Sequence, residues 1–134
     1  MSIIEDVKAG LAQYPEVQFV EAETTLTIPA ADNDGFAILV MQLGSVITVV
    51  YGEGWNEQFT DPAEAVQCII FGLSPACRLV TAYRGSSPYR WTVEYLEDGE
   101  WLEFTAEKYF SLAFWRPKKV VYRQNRVLAW PPPH

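Results

Sequence analysis

At 134 residues, with 49% hydrophobic and 20% charged side chains, the chain has the size and composition of one globular domain, which excludes a disordered or fibrous protein. Its net charge of −7 disfavours bulk binding to nucleic acid or to an anionic membrane surface. The charge is also segregated: residues 1–115 hold five basic and seventeen acidic residues, a charge of −12, whereas residues 116–134 hold five basic residues and no acid.

Taken in chain order, Ser2 and Glu5 have the spacing of a capping box, and Ile3, Ile4, Val7, Leu11 and Tyr14 recur at helical intervals until Pro15 ends the helix. Val17 and Phe19, then Leu26 and Ile28, alternate with polar residues as half-buried strands do. The cluster 29–35, rich in Asp, Asn and Gly, is a loop. Residues 36–42 and 46–51 are nearly uninterrupted apolar runs and predict a central hairpin.

The second helix carries the best local signals. Asp61 suits the N-cap, Pro62 the first helical position and Glu64 the third, followed by the stripe Val66, Ile69, Ile70 and Leu73. Gly72 and Pro75 end it. Strands then meander over 76–84, 89–97, 100–105 and 118–128, with Asp98-Gly99 calling for a two-residue type I′ turn. The order α-β-β-β-β-α-β-β-β-β predicts a single α+β domain over 1–134, an antiparallel, mostly meandering sheet with two helices, ending in a short extended Pro-rich tail over 129–134.

No stretch near the start joins a positive end to an apolar core as a secretion signal does, and the longest apolar run, 36–41, is far shorter than the ~18 residues of a membrane span. A soluble, cytoplasmic protein with reduced thiols at Cys68 and Cys77 is expected. His134 is the only histidine, which leaves no base for Ser-His or Cys-His catalysis and no His-based metal site. The Gly52-Glu53-Gly54 run does not read as a phosphate loop, because the helix after it opens with Asp61 and Glu64.

The Asp98-Gly99 turn fixes cross-strand neighbours: Glu97 with Glu100, Leu96 with Trp101, Tyr95 with Leu102, Glu94 with Glu103 and Val93 with Phe104. Trp91, Val93, Tyr95, Leu102 and Phe104 then form a core face. Glu94 and Glu103 become adjacent carboxylates, the weak candidates for an acid/base pair. Nearby arginines, Arg78, Arg84 or Arg90, could equally offset them as a solvated face.

Twelve of the nineteen aromatic residues lie from Tyr83 onward and are interleaved with arginine. Interfaces favour Trp, Tyr and Arg. The expected function is therefore a non-catalytic binding or adaptor domain, acting as a homodimer and recognising a protein or peptide partner through Trp101, Trp115, Arg116 and Arg123. One alternative is a small-molecule enzyme or binder with a helix–sheet pocket that uses Glu94 and Glu103. Another is nucleic-acid binding through Arg116, Lys118, Lys119, Arg123 and Arg126, weakened because the strand alternation splits these cations between two faces. No metal or cofactor is expected.

Overall fold

A computed structural model describes residues 3–108 and 117–130. The first helix, α1 (Ile3–Leu11), buries Ile4, Val7 and Leu11, the positions that its 3.6-residue period places on one stripe. Five strands follow: β1 (Val20–Glu21), β2 (Thr25–Ile28), β3 (Ile38–Leu43), β4 (Val46–Tyr51) and β5 (Trp55–Phe59). They pair antiparallel in sequence order as one sheet.

Helix α2 (Pro62–Gly72) starts as its sequence dictates. Asp61 is the N-cap, and its side chain accepts a hydrogen bond of 2.9 Å from the Ala63 N–H. The remaining strands are β6 (Cys77–Arg84), β7 (Ser87–Glu97), β8 (Glu100–Lys108) and β9 (Lys118–Arg123). They form a second antiparallel sheet in the order β8-β7-β6-β9.

The α+β class and the run of helix, strands, helix, strands are those expected from the sequence. The strands, however, divide between two sheets, and β5 is an additional element. Its sequence, Trp-Asn-Glu-Gln-Phe, is too polar to stand out as a strand. The last strand stops at Arg123 rather than running to Leu128.

One core serves both sheets. Alternate residues of β2–β4, among them Leu26, Val40 and Val49, meet Val7 and Leu11 of α1 and Val66, Ile69 and Ile70 of α2. Cys77, Leu79, Trp91 and Val93 bring the second sheet into the same cluster. Past β9 the chain turns back to the first half. Asn125 is 3% exposed, and the Val127 and Leu128 N–H groups both donate to the Leu73 carbonyl where α2 ends.

The β7–β8 hairpin realises the expected turn, with φ of 52° at Asp98 and 80° at Gly99. Its register pairs Glu97 with Glu100, Leu96 with Trp101, Tyr95 with Leu102 and Glu94 with Glu103, as the turn requires. Beyond that, Val93 faces Thr105 rather than Phe104. Phe104 is the extra residue of a β-bulge. The inserted residue takes Phe104 out of the alternation, so it is 60% exposed instead of joining the core. Leu102, also expected in the core, is 37% exposed.

Candidate functional site: an aromatic cleft

A cavity of about 720 Å³ lies between α2, β5 and the inner side of β7–β8. Its volume is in the range of sites that hold a small ligand or the side chains of a bound peptide. Trp55, Phe59, Phe71, Tyr95, Phe104 and Trp130 dominate its lining.

Local periodicity explains why they converge. On β5, Trp55, Glu57 and Phe59 are two residues apart and share one face of the strand. On α2, Glu64, Gln67, Cys68 and Phe71 follow the i, i+3, i+4, i+7 spacing, giving the helix a second stripe beside the one in the core. The Phe104 bulge supplies a ring from β8. The C-terminal segment supplies Trp130, whose ring stands edge-on to Phe71 at 5.2 Å.

The deep end of the cleft is an aromatic ladder. Tyr51 lies 5.1 Å from Phe36 and 4.5 Å from Trp55, measured between ring centroids. The Tyr51 hydroxyl donates to the Cys68 carbonyl and lies 3.4 Å from Cys68 Sγ. Burial pushes the Tyr51 phenol well above its usual range. The Cys68 thiol is pushed up to about 12, mainly by burial and further by Glu57, with the Tyr51 hydrogen bond opposing. A thiol held protonated in this way is a poor nucleophile. Trp55 is 1% exposed, and its Nε1 is the one buried side-chain nitrogen or oxygen without a hydrogen-bond partner among the described residues.

Charged groups sit around this apolar lining rather than within it. Glu57 and Glu64 are exposed and acidic, and Gln67 is the remaining polar member. Among the described residues no group of three or more His, Cys, Asp or Glu could hold a metal ion.

The sequence-predicted residues are distributed differently. Glu94 and Glu103 do pair across the hairpin, but they do not line the cleft, although Val93 and Tyr95 on either side of Glu94 do. Alternation sends the carboxylates to the outer face of the second sheet. There Arg78 Nε meets Glu94 at 2.5 Å, and Arg90 Nη2 meets Glu103 at 2.7 Å. Each acid is matched by a guanidinium, which offsets the mutual repulsion that would make the two an acid/base pair.

Trp101 is half-buried on that same outer face. The Arg78 guanidinium carbon lies 4.4 Å from its ring centroid and 4.5 Å from that of Tyr122, so one cation bridges two rings from β8 and β9. Arg123 faces the other way. It lines a smaller cleft of about 310 Å³ with Trp91, Tyr83 and Glu53. Lys118 and Lys119 are exposed on β9, an edge strand. Trp115 and Arg116 lie outside the described residues.

No helix among the described residues is long and apolar enough to cross a membrane. Comparison of this chain with known protein families, with curated proteins and with solved structures finds no match.

Proposed function

We propose that the chain is a non-catalytic binding domain, and that the aromatic cleft receives an apolar segment of a protein partner flanked by basic residues. The observation that carries this reading is the pairing of a large aromatic lining with two exposed carboxylates, Glu57 and Glu64. Aromatic walls reward a buried Leu, Phe or Trp anchor, and the carboxylates favour Lys or Arg beside it. The chain's net charge of −7 favours the same partner at long range. Two free thiols, one half-buried and one buried, support a reducing, cytoplasmic setting.

Fluorescence anisotropy with short labelled peptides tests this. Peptides with one central Phe or Leu flanked by lysines are expected to bind, and the same peptides flanked by glutamates are not. Phe71→Ala and Trp130→Ala should each weaken binding about tenfold or more. Glu57→Lys with Glu64→Lys should abolish the preference for basic flanks. Equal binding of both peptide sets, or no effect of these four substitutions, would overturn the reading.

A second reading rests on the Trp55 Nε1 that lacks a partner. A small apolar molecule bearing a hydrogen-bond acceptor would complete it. Native mass spectrometry of the purified protein decides this: an adduct lost in Phe71→Ala replaces the peptide with a small ligand.

A further inference from the structure

The two sheets treat solvent differently. On the outer face of the second sheet Arg78, Arg90, Glu94 and Glu103 are arranged in charged pairs. On the first sheet the side turned away from the helices carries the cross-strand pairs Leu39–Val50, Met41–Thr48 and Leu43–Val46. Its flanks are Thr25 and Thr27 on β2, and Asn56 and Gln58 on β5. None of these residues ionises.

In a chain that is 20% charged, a solvent-facing sheet surface without a charge departs from the usual apolar-in, polar-out alternation. None of the described helices or strands lies across it: α1 and α2 pack on the opposite side, against Leu26, Val40, Ile47 and Val49. Leu43, at its end, is 84% exposed.

We infer that this face is where a second copy of the chain docks, sheet against sheet. Charge decides which face two copies can share. A molecule of charge −7 repels its own copy wherever carboxylates face each other, and this face lets two copies meet without desolvating one. A two-fold axis sets the apolar rows on their equivalents, which makes a flat, uncharged surface complementary to itself.

The area suffices. β3 and β4 have six residues each, and four strands about 4.8 Å apart outline roughly 20 Å by 20 Å. With side-chain relief, two copies hide on the order of 1,000 Å², the lower limit for a specific interface, so a micromolar dimer is expected. The dimer leaves the aromatic cleft free and does not depend on it.

Methionine methyl NMR reads this face directly, since Met1 and Met41 are the only methionines. In wild-type protein the Met41 methyl signal should shift or double as concentration rises through the micromolar range. Sedimentation should show the mass doubling over the same range. Met41→Lys and Thr48→Lys should hold the protein monomeric with the same circular dichroism, whereas Val120→Lys on the other sheet should still dimerise. A Met41 signal indifferent to concentration, or a dimer that survives Met41→Lys, overturns the proposal. The first result, which needs no variant, stands even if a substitution disturbs folding. A Met41 signal that moves only on adding a different protein assigns the face to that partner and also overturns it.

Discussion

The side-chain amide of Asn125 and the main chain of Phe36 hold each other reciprocally. Asn125 Oδ1 accepts from the Phe36 N–H at 3.1 Å while Asn125 Nδ2 donates to the Phe36 carbonyl at 3.0 Å. The same amide also accepts from the Ala31 N–H at 3.3 Å and donates to the Gly72 carbonyl at 3.0 Å. One buried side chain thus joins the β2–β3 loop, the end of α2 and the C-terminal segment. Asn125→Ala strands several main-chain groups at once and is expected to cost on the order of 3 kcal/mol in urea unfolding. A loss below about 1 kcal/mol would mean that water replaces the amide.

Gly54 and Trp91 set how closely the two sheets approach. A Cβ on Gly54 would lie only 2.2–2.4 Å from atoms of the Trp91 ring, which is itself only 7% exposed. Gly54→Ala should destabilise by about 1–3 kcal/mol through overpacking. Trp91→Leu in the same chain should recover part of that loss, because the smaller side chain admits the methyl. Additive losses in the two single variants would show that the contact is not the cause.

Both thiols should be silent in the folded protein. Burial raises the Cys68 thiol to about 12 and lifts that of Cys77 well above its ordinary range. Native protein should react slowly with a thiol reagent at pH 8 and release two equivalents once unfolded. The linkage has a definite sign. The folded state keeps both protons where the unfolded chain loses them, so stability is intact below the unfolded thiol value of about 8.5 and falls as pH rises above it, by up to about 1.4 kcal/mol per pH unit per thiol. Cys68→Ala should flatten that alkaline fall, as read from unfolding midpoints between about pH 8 and pH 10.

Trp101 belongs to a cation–π bridge, and a double-mutant cycle with Arg78 should return a coupling of about 0.5–1 kcal/mol. Trp101→Ala should leave peptide binding in the cleft unchanged. A Trp101→Ala variant that keeps full stability but loses the partner would move the binding surface to the outer face of the second sheet.

What the sequence conveys about this molecule follows the range of the signal. Asp61, Pro62, Asp98 and Gly99 act within a few residues, and each does in the structure what its type demands. The pairing of Glu94 with Glu103 was legible because a two-residue turn transmits register along a hairpin. The bulge at Phe104 was not, since no neighbouring residue announces an insertion into a ladder. The aromatic cleft was partly legible: Glu64, Gln67, Cys68 and Phe71 have helical spacing, yet the core stripe on α2 overshadows them. Its remaining walls come from β5, β8 and Trp130, which only tertiary structure brings together. Asn125 fell inside the strand expected over 118–128 and read as an ordinary strand residue, because the partners of its amide lie far back in the chain.

The distance along the chain between Asn125 and Phe36, 89 residues, also gives this fold an order in time. The first sheet pairs strands in sequence order and can assemble early in synthesis. The polar knot at Asn125 must wait until residue 125 itself has been made. Contacts of such long separation form after the rate-limiting step when local hairpins nucleate folding, so weakening them should speed unfolding and leave refolding almost untouched. By that logic the lifetime of the folded protein, more than its route to the fold, is held by Asn125 and the main-chain groups it joins.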